Sequence, residues 1–198
     1  MAYGDATQIV SGHAKIYLLE TETTVAPITS GAITDLDSST TWISLGYTQD
    51  GISQTITTEL TEVEVDQEDA PVASTINKQS ASVSTVLAQT DLLGLAYVIH
   101  GASFTTGTSS SAGTSANVMG IGGGTQAFNS LAIISDSPET GLERLDFYPR
   151  VKPTGSTVEA FKRGESHQVP VEFNAYAVST MAAGSRLRIT HEETTSYS

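Results

Sequence analysis

Along most of this chain apolar and polar residues alternate with a period of two, and the alternation locates its strands. Residues 8–19 carry Ile9, Val10, Ile16, Leu18 and Leu19 and read as a strand. Residues 20–40, rich in Thr, Ser, Gly and Asp, read as a long loop, and residues 42–46 as a short strand. Asp50-Gly51 is a turn signal. Ile52, Ile56 and Leu60 then share one face of a strand, with Ser53, Thr55, Thr57 and Glu59 on the other. Past Leu60 the apolar positions become odd-numbered, at Val63 and Val65, and residues 68–71 read as a turn. The return arm begins in even phase with Val72 and Ile76, then shifts to odd phase at Ala81, Val83, Thr85 and Leu87. A period-2 pattern changes phase only at a bulge or where a strand changes partner. The prediction is a long hairpin whose base packs in the domain and whose distal half packs elsewhere.

One helix follows. Thr90 is a good N-cap and Asp91 suits the first turn. Leu92, Leu95, Ala96 and Ile99 form the apolar stripe that faces the core, Leu93, Tyr97 and Val98 broaden it, and Gly101 is the stop signal. Residues 102–125 are a low-complexity run of Ala, Ser, Thr and Gly and read as a mobile loop, on the outside or at a subunit contact. Strands resume at residues 130–135 and, after a turn at 137–141, at 142–152, with Leu145, Phe147 and Val151 on one face. Residues 168–178 alternate, with Val169, Val171, Phe173, Ala175 and Ala177 on one side and Glu172, Asn174 and Tyr176 on the other. Residues 186–190 make a last strand with Leu187 and Ile189 inward, and 191–198 read as a polar tail. The class is mainly β, in a single domain over 1–198.

Composition narrows the function. The chain of 198 residues has no cysteine, which removes disulfides, thiolate nucleophiles and cysteine metal sites, and fits assembly in a reducing cytoplasm. No signal peptide and no membrane helix are predicted, so a soluble protein is expected. The net charge of -13 is uneven: residues 1–143 hold 16 acids against Lys15 and Lys78, whereas 144–198 are nearly balanced. An acidic chain repels phosphate, which argues against ordinary nucleic-acid binding. The asymmetry suits head-to-tail association.

Catalytic chemistry finds no support, and no catalytic or metal residue is assigned. His13, His100, His167 and His191 are scattered, without the spacing of metal pairs. Gly120-x-Gly122 lacks the third glycine and the following helix of a dinucleotide loop. Of the acids Glu62, Glu64, Asp66, Glu68 and Asp69, alternate members share a strand face, but no glycine-centred loop wraps an ion. On an exposed edge such a run discourages unwanted strand pairing. No cofactor is predicted.

The segment 45–95 resembles the major tail proteins of siphophages, the tail tube family. Leu-Gly-Tyr-Thr-Gln-Asp-Gly-Ile at 45–52 looks like the approach to that family's long hairpin, and Glu-Val-Glu-Val-Asp-Gln-Glu-Asp-Ala-Pro-Val at 62–72 like its tip. The return strand and helix follow in the family's order, and the strand from His167 is similar to its C-terminal part. About half of the chain is covered, by order and spacing rather than by one motif, and 102–125 has no counterpart. The resemblance implies a β-sandwich or partial barrel with a long hairpin and one flanking helix. It also implies hexameric rings that stack into a tube, with an inner β-barrel whose lumen holds the tape-measure protein and later conducts double-stranded DNA without specific binding. Tail terminator and distal tail proteins would be further partners; the location would be the virion tail, assembled in the host cytoplasm, with no membrane partner. The implied lumen face is Ser53, Thr55, Thr57, Glu59, Ser80, Ser82 and Ser84, a surface of hydroxyls and acid with almost no base. Read alone, those hydroxyls fit a solvated sheet face equally well. On a lumen of this kind Glu59→Gln is expected to be harmless. The tip residues Glu62, Glu64, Asp66, Gln67, Glu68, Asp69 and Pro71 would touch a neighbouring subunit or ring. Rival functions are a head-to-tail connector, a capsid decoration protein, or a ligand-binding β-module of an adhesin.

Overall fold

The computed structural model describes residues 13–63, 72–88, 91–99, 101–108, 115–122, 127–137, 141–154 and 168–194. In chain order the elements are β1 (Ala14–Leu19), β2 (Ile28–Thr29), β3 (Ala32–Ile33), β4 (Trp42–Ser44), β5 (Thr48–Val63), β6 (Ala73–Leu87), α1 (Leu92–Val98), β7 (Ala102–Thr108), β8 (Ser115–Ile121), β9 (Asn129–Asp136), β10 (Glu143–Thr154), β11 (Val169–Ala175) and β12 (Ile189–Glu192). Eight strands form one antiparallel sheet along the path β4-β1-β9-β10-β11-β6-β5, with β12 beside β10. The fold is mainly β with one short helix, as the alternation predicts.

Chain connectivity closes the sheet. β4 and β5 stand at opposite ends of the path, yet only Leu45, Gly46 and Tyr47 separate them. That link spans at most about 14 Å, so the sheet curls until its ends approach, giving a partial barrel. The link is tied to both sides: the Leu45 N–H donates to Ile16 O, and the Ala88 N–H donates to Tyr47 O. Leu45 itself is 1% exposed and plugs the seam.

Inside lie Ile16, Leu18, Val83, Leu87, Leu131, Tyr148, Val151, Val171 and Phe173, with Leu95 and Val98 of α1. A second cluster, Tyr17, Ile33, Leu36, Ala132, Ile134, Leu145 and Phe147, packs on the other face of β1, β9 and β10. The stretch 20–41 covers that face, so it is a lid with its own small β2-β3 hairpin rather than a bare loop. β9 is therefore buried on both sides, which explains its unbroken apolar run. On β10 the expected single face of Leu145, Phe147 and Val151 divides between the two clusters. The register slips between Tyr148 and Val151, and one extra residue turns Val151 over to the inner core.

Other expectations change as well. Asp50-Gly51 is an insertion within β5, not a turn: Gln49 pairs with Val86 and Ile52 with Thr85, leaving both residues extra at positive φ. The N-cap of α1 is Asp91, whose carboxylate accepts from the Gly94 N–H at 2.7 Å; the expected cap, Thr90, lies outside the described residues. The helix face is Gly94, Leu95, Ala96 and Val98, with Leu92 half-buried and Ile99 moved to the C-cap. The predicted loop 102–125 contains a paired hairpin, β7-β8, that packs beside α1 and sends Met119 to the inner core. Small residues with β-branched Thr and Val suit a strand pair once an apolar partner exists. The predicted polar tail is ordered as far as it is described: His191 and Glu192 belong to β12, and the Glu193 carboxylate accepts from the N–H groups of Ile33 and Glu143.

Candidate functional site

The outward face of the β5-β6 hairpin is the candidate site. Register sets Ser53 opposite Ser84, Thr55 opposite Ser82 and Thr57 opposite Ser80. No slip intervenes within these residues, so all six hydroxyls share one face, as expected, together with Glu59. The opposite face carries Ile52, Gln54 and Ile56 against Thr85, Val83 and Ala81 and enters the core at its base. The phase change of the return arm is a bulge. Glu59 pairs with Lys78 and Leu60 with Ile76, so Asn77 is the extra residue that brings Ile76 onto the apolar face.

Beyond the bulge the hairpin leaves the body of the protein. From Leu60 to Val63 it runs about 10 Å at the usual strand rise. Ile56, Leu60 and Ile76 are 54%, 58% and 61% exposed and lie on one side; Ile56 borders a pocket it shares with Leu187 and Arg188, and Leu60 and Ile76 project beyond it. A two-stranded hairpin alone is marginal in water, and an apolar strip of this kind marks an interaction surface. Glu62 is exposed near its end; the other predicted tip residues, Glu64, Asp66, Gln67, Glu68, Asp69 and Pro71, lie outside the described residues.

No protein-family model and no curated protein matches this chain.

The polar face extends further than the hairpin. β11 adds Glu172 beside Ser84 and Asn174 beside Ser82, and β10 adds Thr154 beside Glu172 and Lys152 beside Asn174. Two rows thus cross four strands: Ser53, Ser84, Glu172, Thr154, and Thr55, Ser82, Asn174, Lys152. The outward alternation of Glu172, Asn174 and Tyr176 is visible in the sequence. That this strand lies against β6 is not, because pairing between distant segments leaves no period.

The expectation of a face with almost no base is corrected here. Lys78 stands on the face directly across from Glu59. Lys152 stands on it too, and Arg150 lies beside it on the same side of β10. Arg150 and Lys152 have local partners, whereas Lys78 faces Glu59 across the strand pair by register, without an ion pair between them. Opposite charges face each other across Glu59 and Lys78. Arg150 is gripped by Glu22 through two bonds, Nε to Oε2 at 2.5 Å and Nη2 to Oε1 at 2.9 Å. The Glu22 bond pushes the Arg150 pKa up, against a small opposing effect of burial. The Lys152 ammonium sits 4.2 Å from the centre of the Phe128 ring, which also carries Arg150 and packs edge-on against Tyr176.

The arm is fastened at its root by a polar network. The Gln54 amide donates to Asp146 Oδ2 at 2.9 Å, and its Oε1 accepts from the Tyr148 hydroxyl at 2.6 Å and from Arg188 Nη1 at 3.2 Å. Thr190 donates to Asp146, and the Thr85 hydroxyl donates to Gly51 O.

Of the histidines, His13 is exposed, the His191 ring nitrogen contacts Gly31 O at 3.0 Å, and His100 and His167 lie outside the described residues. Among the described residues no group of three or more His, Cys, Asp or Glu side chains converges for a metal ion.

Proposed function

We propose that this chain is a structural subunit of a phage tail tube, and that it is not an enzyme. The observation that carries the proposal is the two-faced β5-β6 arm: an uncovered apolar strip on one side, a hydroxyl ladder on the other, and a projecting strand whose outer edge has no partner among the described residues. A monomer left in this state exposes both an edge and an apolar surface to uncontrolled pairing. A closed ring of copies removes both, because adjacent arms complete one another's sheet and the apolar strips turn toward subunit bodies. The hydroxyl faces then line the channel. Six copies per ring, and stacking of rings through the acidic tips, follow the resemblance of residues 45–95 to siphophage tail proteins. In this arrangement the lumen holds the tape-measure protein first and conducts double-stranded DNA later, terminator and distal tail proteins close the two ends, and the subunit resides in the virion after assembly in the host cytoplasm.

Serine and threonine suit such a channel. They are small, carry no charge, and offer a phosphate backbone no counterion-releasing contact. Negative-stain imaging of the purified full-length protein, alone and with its neighbouring tail proteins, tests the proposal. Stacked rings or hollow tubes are expected. A monomer that persists in both conditions and melts higher on adding a sugar or cation would replace the tube subunit with a ligand-binding module.

A further inference from the structure

A groove opens where the arm leaves the body. Ile56, Gln79 and Ala81 of the arm's root form one wall, and Gly184, Leu187 and Arg188 form the other. At about 340 Å³ it lies near the lower limit for small-ligand pockets, roughly 300–1,000 Å³, and suits one or two aliphatic side chains. Ile56 at its edge remains 54% exposed. The chain's own strip does not reach back into it. Leu60 lies four residues beyond Ile56 on the same face, about 13 Å farther along the strand, and Ile76 pairs with Leu60.

Strip and groove match in shape and charge. Leu60 and Ile76 present branched aliphatic side chains at 58% and 61% exposure. Glu62, two residues on and on the same face, puts an exposed acid beside them. The groove's outer wall belongs to a stretch, residues 175–191, that has Arg186 and Arg188 and no acid. Arg186 is exposed. Arg188 donates from Nη1 to Gln54 at 3.2 Å and lies 3.6 Å from Asp146, yet keeps 30% of its side chain exposed. An apolar pair with an acid at its side thus fits an apolar groove with arginines on its rim. One copy carries the two parts in different places, the condition for a heterologous contact. We propose that the groove receives the distal arm of a second copy of this chain, with Leu60 and Ile76 in the groove and Glu62 toward Arg186 and Arg188. That this second copy is the neighbour in a ring rests on the tube reading; the match of strip with groove rests on the side chains. Water leaves both apolar surfaces, and the rim charges set the direction in which copies join.

Cysteine cross-linking of the full-length protein tests the contact, in a chain with no cysteine of its own. Leu60→Cys and Leu187→Cys are made separately, the second with a tag that changes its mass, then mixed in equal amounts and oxidised with copper phenanthroline. A disulfide needs Cβ atoms within about 4.5 Å, so it reports direct apposition. The mixed product is expected to exceed either self-linked product several-fold. Gln79→Cys, exposed on the other wall, replaces Leu187→Cys if circular dichroism shows that variant to be unfolded. Adding Glu62→Lys to the Leu60→Cys chain is expected to lower the mixed product several-fold at low salt. A Leu60→Cys chain that links to itself as readily as to the groove overturns the inference, because the strips then meet each other. A mixture that gives no cross-link, or one indifferent to Glu62→Lys, overturns it as well. Imaging the same proteins separates this contact from the tube reading. Tubes without the mixed product remove the contact alone, whereas the mixed product in oligomers that never stack removes the tube and keeps the contact.

Discussion

Replacing Gln54 with alanine asks how the projecting arm is held at its root. Gln54 lies on the apolar face of β5, between Ile52 and Ile56, where a hydrophobic residue would be the simpler choice. It binds three side chains from two other strands' neighbourhoods: Asp146 and Tyr148 of β10, and Arg188 just before β12. A neutral hydrogen bond contributes about 1 kcal/mol net, and one to a charged group about 1.5–3 kcal/mol. The full loss is not realised. Asp146 keeps Thr190 and lies 3.6 Å from Arg188, and Arg188 is 30% exposed and can take up water. The expected cost of Gln54→Ala is therefore about 3 kcal/mol. For a chain of this size that lowers Tm by roughly 6–12 °C. Tyr148→Phe removes only the shared 2.6 Å bond and is expected to cost about 1 kcal/mol. Because that bond is common to both, the double variant should lose about 1 kcal/mol less than the sum. Urea denaturation gives the three values, provided the m-value stays constant. Amide exchange should also quicken in β5 beyond residue 54 in the alanine variant, as the arm loosens. A Gln54→Ala protein within about 0.5 kcal/mol of the parent, or strict additivity with Tyr148→Phe, would show that the network does not hold the arm.

Three further outcomes are expected. Leu60→Asp leaves the stability of the monomer within about 0.5 kcal/mol, since the side chain is already 58% exposed, but sedimentation should show the assembled species lost. Asp91→Ala removes the side-chain acceptor of the Gly94 N–H and should cost about 1 kcal/mol by denaturant titration. Asp37 is held below the usual carboxylate range by its bond from Lys15 and then by the Tyr17 hydroxyl at 2.7 Å. A depressed carboxylate stabilises fully above its unfolded pKa and loses that contribution as pH falls through the folded one. Asp37→Asn should therefore cost about 0.5 kcal/mol at neutral pH, the pair being about half exposed, and the two proteins' urea midpoints should converge in acid.

Much of the arm was legible in the sequence because strand alternation is a local property. Ser53, Thr55 and Thr57 fall on one side of β5 and Ser80, Ser82 and Ser84 on one side of β6 whatever else the chain does, and the shift between Ile76 and Ala81 announces a bulge before it is seen. The absence of cysteine and the uneven charge are likewise facts of the chain alone. Partnership between distant segments is different. Nothing local states that β11 lies against β6, that three residues join the two ends of the sheet, or that Phe128 reaches Lys152, because these depend on which surfaces find burial together. The strands at Ala102–Thr108 and Ser115–Ile121 escape the sequence for the same reason. Their sparse apolar residues cannot order them alone, but against α1 they complete a strand pair. Tertiary structure also decided the electrostatics of the polar face. The sequence contains Glu59 and Lys78 nineteen positions apart; the pairing of β5 with β6 sets them opposite one another, and the slip at Asn77 turns over only the residues beyond it, bringing Ile76 opposite Leu60.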